Sequence, residues 1–172
     1  MDNRTAVLRI VPQPPSSAAP RAGFKAAFDG FFEAYAARDP ERVAPFLHED
    51  VVWTVSGPVD VLPFCGKHHG KAAVLDLIGR RVPAVLRVFS FVPETIVSDG
   101  DRVALLTRLS AHRASDGRVI GYRVANFFRF LDGKVIENLS LLDSFDAVEQ
   151  VVGHPLTASV SLVPDIGDMV PL

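Results

Sequence analysis

Alternating apolar and polar residues mark the region from residue 102 to residue 142 as a set of antiparallel strands. Two Asp-Gly pairs interrupt the alternation, and Asp-Gly favours the tight turn of a β-hairpin. The pattern therefore predicts a three-stranded meander. Its strands are Arg102–His112, Ile120–Leu131 and Lys134–Leu142, and its turns are Asp116-Gly117 and Asp132-Gly133.

Helical spacing dominates the part of the chain that precedes the meander. Aromatic residues recur on one face of a predicted first helix, Phe24–Arg38, at spacings that form a broad apolar stripe. The stripe consists of Phe24, Phe28, Phe31, Phe32 and Tyr35. Asp39-Pro40 is typical of the N-cap and first turn of a short second helix. A third helix is predicted over Lys71–Val88, where Pro83 should kink or split it.

The remaining segments complete an α+β layout, with helices first and a run of strands after them. Strands are predicted over Val51–Ser56 and Phe89–Val97, a loop over Gly57–Gly70, and a short last helix over Asp143–Val152. The expected fold has three N-terminal helices packed on a strongly curved mixed or antiparallel sheet, with a short C-terminal helix. The expected domain spans residues 23–153, between a proline-rich tail at residues 1–22 and a second tail at residues 154–172.

One face of the predicted meander mixes large apolar residues with a few polar ones. The polar members assigned to that face are Arg108, Ser110, His112, Asn126, Asn138 and Ser140. Such a mixture suits a cavity with hydrophobic walls and a small number of placed polar groups. A solvated sheet face would produce the same pattern, because antiparallel sheets often have one wet side.

Composition narrows the class of protein. A chain of 172 residues with 48% hydrophobic residues is long enough for one domain with a substantial core. A net charge of -2 argues against nucleic acid as a partner, and no apolar run is long enough to cross a membrane. The single cysteine, Cys65, cannot form an intramolecular disulfide, which favours a reducing, cytoplasmic location. The 12 Phe, against 1 Trp and 2 Tyr, indicate a large interior with few hydrogen-bonding obligations.

Three motifs carry a resemblance to a known family. They are AARDPERVAPFLHEDVVW at Ala36–Trp53, PFCGKHHGKAAV at Pro63–Val74 and FFRFLDGKVIENLSLLDSFDAVEQ at Phe127–Gln150. With this order of elements, the chain resembles the SnoaL-like branch of the nuclear transport factor 2-like, or ketosteroid isomerase-like, superfamily over roughly residues 24–153. The resemblance implies a cone-shaped α+β barrel. The superfamily includes isomerases, dehydratases, cyclases, epoxide hydrolases and non-catalytic binding proteins, so the fold leaves the function open.

Two enzymes of this fold suggest particular site positions. Similarity to ketosteroid isomerases places their oxyanion tyrosine at Phe31, their base at Val55 or Ser56, and their oxyanion aspartate at Asn126. Similarity to limonene-epoxide hydrolases places a strand pair at Trp53 and Val55 and the buried arginine at Arg108. It places the two aspartates of those enzymes at Ser110 and Ser140. This chain lacks the carboxylates that both reactions need, which argues against both activities. The similarity to epoxide hydrolases nevertheless implies that Arg108 and Ser110 lie on the cavity side.

The candidate catalytic residues are His112, Asn126 and Arg108. His112 is either a general acid-base or a solvated residue beside a hairpin. Arg108 either binds an anionic group or forms an ion pair in a dimer interface. Asn126 either donates a hydrogen bond to a carbonyl or is a satisfied core amide. The candidate ligand-binding residues are Phe31, Tyr35, Trp53, Val55, His68, Ser110, Phe128 and Ser140.

These observations predict a pocket for a small, mostly apolar ring or carbonyl compound. The pocket would serve a cofactor-free isomerase, cyclase or lyase, or a non-catalytic ligand-binding or dimerisation module of the same fold. No metal is expected, because the adjacent pair His68 and His69 lacks zinc-like spacing to other ligands. A homodimer is expected through the second sheet face, whose residues include Phe127, Leu131, Leu139 and Leu141.

Overall fold

The computed structural model describes residues 22–156 of the chain. Six strands form one mixed sheet: β1 Leu47–Ser56, β2 Gly66–His69, β3 Leu86–Asp99, β4 Arg102–Arg113, β5 Val119–Leu131 and β6 Lys134–Leu142. Their order across the sheet is β2-β1-β6-β5-β4-β3. The β1–β6 pair is parallel, and every other neighbouring pair is antiparallel.

Four helices accompany the sheet: α1 Ala22–Ala36, α2 Pro40–Val43, α3 Lys71–Asp76 and α4 Ser144–Val152. A 3-10 turn, Ala44–Phe46, leads from α2 into β1. A π-helical turn, Leu77–Arg81, continues α3. The predicted N-cap of α2 is confirmed. The Asp39 side chain accepts from the backbone N–H groups of Glu41 and Arg42 at the start of α2, and Gly153 ends α4 in the left-handed conformation.

The predicted α+β class is therefore confirmed, with two corrections to its elements. The predicted loop over Gly57–Gly70 contains β2, which pairs with β1 through Trp53 and His68. The predicted third helix is much shorter, because regular α-helix ends at Asp76 and strand β3 already begins at Leu86. Glycine and proline in residues 57–70 favoured a loop over the short strand β2. Pro83 was predicted to kink or split the third helix, and the helical turns do end just before it, at Arg81. Apart from residues 22 and 154–156, the two predicted tails lie outside the described residues.

Bulges bend the sheet. In β3 the register shifts between Val88 and Ser90 and again between Pro93 and Thr95, so Phe89 and Glu94 are extra residues relative to β4. An extra residue kinks its strand and increases the local twist. Pro93 adjoins the second bulge of β3, which is an edge strand, and edge strands and bulges are the positions where a sheet tolerates proline. This curvature creates a concave face that α1 covers.

The core is an aromatic cluster between α1 and the concave face of the sheet. Phe31 is fully buried at its centre. Its ring centroid lies 5.6 Å from that of Tyr35 and 5.1 Å from that of Phe128, with the second pair edge to face. Trp53 of β1 closes the cluster at 5.4 Å from Tyr35 and 5.7 Å from Phe128. Such pairs contribute beyond their buried area, so the stripe of α1 attaches the helix layer to the sheet.

The outer face of the sheet carries exposed apolar side chains. Phe127, Leu131, Leu139 and Leu141 retain between 37% and 47% of their accessible surface, and we call them the outer apolar patch. Phe127 and Leu139 face each other across β5 and β6. Among the described residues, no helix is long and apolar enough to span a membrane.

Replacing Phe31 by alanine should lower the free energy of unfolding by about 3–5 kcal/mol, because the change removes a fully buried ring and leaves a cavity. Chemical denaturation measures the difference. Phe145→Ala in α4 is the matched control, since that ring is 56% exposed. It should change stability by less than about 0.5 kcal/mol. Equal losses in the two variants would contradict the central role of Phe31.

Candidate functional site

A partly open cavity lies beside the aromatic cluster, between the end of α1, the concave sheet face and the π-helical turn. Its walls are almost wholly apolar. The aromatic walls are Tyr35, Trp53, Phe64, Phe91 and Tyr122, and the aliphatic walls are Val55, Leu77, Ile78, Val82, Leu86, Leu109, Val124 and Leu142. The remaining lining residues are Arg38 and Ser140. The cavity volume open to the centres of water molecules is about 50 Å³.

The end of α1 brings Arg38 to this cavity. The helix stops at Ala36, and the backbone N–H of Arg38 bonds back to the carbonyl of Tyr35 at 3.1 Å. Arg38 has a positive φ of 57°, which is uncommon for a residue other than glycine. This left-handed residue lets the chain turn directly into the Asp39 cap of α2. The turn directs the arginine toward the aromatic walls instead of continuing the helical face.

The guanidinium group of Arg38 lies against two rings of the cavity wall. Its central carbon is 4.3 Å from the ring centroid of Tyr35 and 4.5 Å from that of Phe91. Both distances are within the range of cation–π attraction. The Nε atom is buried and has no hydrogen-bond acceptor. Within residues 22–156, no carboxylate forms an ion pair with this group.

Two phenol groups share the cavity with Arg38. Burial raises the pKa of Tyr122 far above its usual value, and the nearby positive charge of Arg38 only partly opposes this shift. The Tyr122 phenol therefore stays protonated and can donate a hydrogen bond. Neither Tyr35 nor Tyr122 hydrogen-bonds another described residue through its hydroxyl.

A buried polar cluster lies on the same concave face, formed by Asn126, Asn138 and Ser140. The Asn126 Nδ2 donates to Ser140 Oγ at 2.7 Å and to Asn138 Oδ1 at 3.3 Å. The Asn138 Nδ2 also donates to Ser140 Oγ, at 2.8 Å. Ser140 therefore connects the cluster to the cavity lining. The Asn126 Oδ1 is buried and accepts no hydrogen bond from the described residues.

The predicted cavity position of Arg108, Ser110 and His112 is wrong. These residues lie on the outer face, while Leu105, Thr107 and Leu109 of the same strand are buried. Strand register explains the result, because Leu105 is opposite Asn126 and Arg108 is opposite Arg123. Paired residues point to the same face, so Arg108 cannot share a face with Asn126.

On the outer face these side chains have other partners. Arg108 and Arg123 both pair with Glu94, whose pKa they lower by hydrogen bonding and charge. The His112 Nδ1 lies 3.0 Å from the Gly117 carbonyl oxygen, and its ring packs on Phe89. The structure thus separates the three polar residues of β4 from the cavity.

The other predicted site residues divide into three groups. Tyr35, Trp53, Val55 and Ser140 line the cavity. Phe31 and Phe128 are buried in the aromatic cluster behind that lining. His68 is buried elsewhere, with its Nε2 atom 3.1 Å from the Phe64 carbonyl oxygen, so it holds the segment before β2 in place.

Sequence reasoning missed Arg38, Phe91, Tyr122 and the π-helical turn as parts of the cavity. Arg38 lies beyond the end of α1 and has a left-handed backbone conformation, so the helical spacing of the aromatic stripe did not indicate its position. The contributions of Phe91 and Tyr122 depend on strand register and on the bulges in β3. A π-helical turn has no reliable sequence signature, although such turns are frequent at functional sites.

Other reactive groups are poorly placed for chemistry. Burial raises the pKa of the Cys65 thiol to about 11, so it is protonated near neutral pH. In the part of the chain that the structure describes, no three His, Cys, Asp or Glu side chains are arranged to hold a metal ion. Hydrogen-bond donors therefore supply the polar character of the cavity.

Comparison with known proteins identifies the family. The model of the SnoaL-like domain matches residues 28–138, well over half of the chain. The chain therefore belongs to the SnoaL-like domain family. A comparison with curated protein sequences finds no match.

Solved structures agree with this assignment. A "putative isomerase" from Rhodopseudomonas palustris is 29% identical, with a TM-score of 0.67, over 79% of this chain and 100% of that one. TerC, co-crystallised with polyporic acid, is 20% identical with a TM-score of 0.67 over 76% and 99%. A protein with a ketosteroid isomerase-like fold from Catenulispora acidiphila, in complex with trimethylamine, is 12% identical with a TM-score of 0.61 over 75% and 93%. The last two similarities concern the fold alone.

Replacing Ser140 by alanine should reduce the free energy of unfolding by about 1–3 kcal/mol, because two buried amide groups lose their shared acceptor. Denaturant titration measures the loss. Ser110→Ala is the matched control on the outer face and should change stability by less than about 0.5 kcal/mol. A larger effect at Ser110 than at Ser140 would contradict the assignment of the two faces.

Proposed function

We propose that this protein binds a small, mostly apolar ring compound that carries a carbonyl, hydroxyl or similar oxygen group. The observation that carries the proposal is the partly open cavity, which combines aromatic and aliphatic walls with a few hydrogen-bond donors. Apolar walls supply affinity through burial, and a few placed polar groups supply orientation. Arg38, Tyr122 and Ser140 are the groups able to orient an oxygen atom.

The cavity volume supports a ligand of about one ring. A volume of about 10–15 Å³ on this measure holds one water molecule, so the 50 Å³ cavity has room for several. A six-membered ring displaces a comparable number of waters. Its flat faces would lie against Trp53, Phe91 and Tyr122, where offset or edge-to-face contacts are favourable.

The lining favours binding over acid-base catalysis. Of the described residues that form the cavity wall, none is a carboxylate or an imidazole. The position that resembles the base of ketosteroid isomerases is occupied by Val55 or Ser56, neither of which is a carboxylate. General acid-base catalysis needs a group that can change its proton near the working pH, and Tyr122 is held protonated by burial.

A second candidate is a cofactor-free isomerase or cyclase that acts on the same class of compound. The similarity to the Rhodopseudomonas palustris protein supports it, as does the presence of Arg38 and Tyr122 in one cavity. Two such donors would stabilise negative charge that develops on a substrate oxygen. In that case the proton acceptor would be water or a group of the substrate itself. Turnover of the bound compound distinguishes this candidate from simple binding.

We also propose that the protein forms a homodimer through the outer face of its sheet. The outer apolar patch supports this, because four neighbouring large apolar residues on a sheet are costly to leave in water. The ion pairs of Glu94 with Arg108 and Arg123 lie on the same face. They would supply polar contacts around an apolar centre, which is the usual arrangement of an interface.

Benzamide provides a neutral single-ring probe of the cavity. Trp53 is the only tryptophan of the chain and lines the cavity, so its fluorescence should report occupancy directly. Val124→Phe should reduce benzamide affinity by at least about tenfold, because the added ring occupies cavity volume that benzamide needs. The apolar surface that the new ring buries should offset the cost of its larger volume to stability. Val119→Phe is the matched control, because it makes the same change on the outer face of the same strand, where Val119 is 60% exposed.

The control variant should bind benzamide as the wild type does. Absence of a fluorescence change in the wild type with both benzamide and benzoate at millimolar concentration would contradict the proposed function. Equal affinities of the wild type and Val124→Phe would place the bound ring outside this cavity.

Light scattering should give the mass of two chains at micromolar concentration. Leu139→Glu should shift the protein toward one chain, because it places a charge in the centre of the outer apolar patch. Phe145→Glu, which introduces the same charge at an exposed ring outside the patch, should leave the mass unchanged. A wild-type mass of one chain would overturn the dimer.

A further inference from the structure

We infer that Arg38 makes the cavity selective for anionic ring compounds, with a carboxylate or another oxyanion placed against its guanidinium group. The inference rests on the proposed function and specifies the chemical class of its ligand. The family resemblance assigned no role to Arg38, although this residue lies in the first of the three motifs. Its position at the cavity follows from the turn that ends α1.

The first argument concerns charge. Of the described residues that line the cavity, Arg38 alone carries a formal charge. Several other arginines of the fold have carboxylate partners, as in the pairs Arg42–Glu33, Arg80–Asp76 and Arg129–Glu137. Arg38 is half-buried and contacts rings instead. A cation withdrawn from water beside apolar walls attracts an anion more strongly than an exposed one does.

The second argument concerns hydrogen-bond geometry. A guanidinium group carries five N–H donors in one plane. Cation–π contacts with Tyr35 and Phe91 engage the positive charge of the group but use none of these donors as hydrogen bonds to an acceptor. The Nε atom is buried without an acceptor. A carboxylate accepts two parallel N–H bonds from such a planar group, and these charge-assisted bonds are stronger than bonds to a neutral oxygen.

The third argument concerns the neighbours of the anion. The Tyr122 phenol is neutral and a donor, so it would add to the attraction. None of the described residues that line the cavity is acidic, so none of them would repel a carboxylate. The aromatic walls would hold the apolar part of the same compound. The arrangement therefore matches a ring acid better than a neutral ring or a ring amine.

A purely structural role is the alternative. Arg38 would then serve as a clamp that fixes the end of α1 to Tyr35 and Phe91 through its cation–π contacts. That role predicts no discrimination between an acid and its neutral analogue of the same shape. The two explanations can therefore be separated by a pair of isosteric ligands.

The test compares benzoate with benzamide by calorimetry and Trp53 fluorescence near neutral pH. The wild type should bind benzoate at least about tenfold more tightly, as expected for a charge-assisted bond in place of a neutral one. In Arg38→Met, which keeps a long apolar side chain without the charge, that ratio should fall to about one, because benzoate loses far more affinity than benzamide does. Arg42→Met removes a nearby exposed cation outside the cavity and should keep the wild-type ratio.

Two further measurements keep the inference testable if Arg38→Met does not fold: ligand binding by Arg38→Lys, and an NMR measurement on the wild type. The lysine variant should retain a smaller preference for benzoate, because it keeps the charge but loses the planar donor set. In the wild type, benzoate should shift the Arg38 Nε–H resonance more than benzamide does. Equal shifts would support the structural clamp and overturn the inference.

The outcomes distinguish this inference from the proposed function. If both probes bind the wild type equally, or if the preference for benzoate survives in Arg38→Met, the inference is wrong and the binding function stands. If neither probe binds the wild type, the proposed function fails, and the selectivity fails with it.

Discussion

The contact between the aromatic stripe of α1 and the concave face of the sheet is the interaction on which the rest of the structure depends. Phe31 occupies its centre, and Tyr35 and Trp53 extend it toward one end. The sheet continues to curve beyond that point because bulges bend β3. A straight helix cannot follow this curvature to its end. The cavity is the space left where α1 stops and the sheet continues, and Arg38 lies at its edge because the helix ends there.

The same packing determines what the cavity can do. Its walls come from residues whose first role is to fill the core, and its polar groups are few. Asn126 is fully buried and bonded to Asn138 and Ser140, so it acts as part of an internal network before it acts on any ligand. The positions that resemble the tyrosine, base and aspartate of ketosteroid isomerases are Phe31, Val55 or Ser56, and Asn126, and none of them has an acid-base side chain in this chain. A binding cavity with one cation is consistent with all of these features.

Much of the fold could be predicted because its signals are local. The Asp-Gly turns, the alternation of the meander and the Asp39 cap each depend on neighbouring residues, and the structure contains all three. The site was harder to predict because it depends on which face of each strand turns inward. A shift of one residue reverses that choice. The mixed pattern of the meander, supported by the similarity to epoxide hydrolases, predicts Arg108 and Asn126 on one face, whereas the pairing of Leu105 with Asn126 places Arg108 outside.

The sequence by itself determined the α+β class, the meander, the aromatic face of the first helix and the family resemblance, since periodicity and turn chemistry are properties of short segments. It also indicated Tyr35, Trp53, Val55 and Ser140 as residues of the pocket. Only the tertiary structure decided that His112 and Arg108 lie outside and that Arg38 and Tyr122 lie inside. The physical reason is that register, bulges and a single left-handed residue at the end of α1 are set by packing between segments that are distant in the chain.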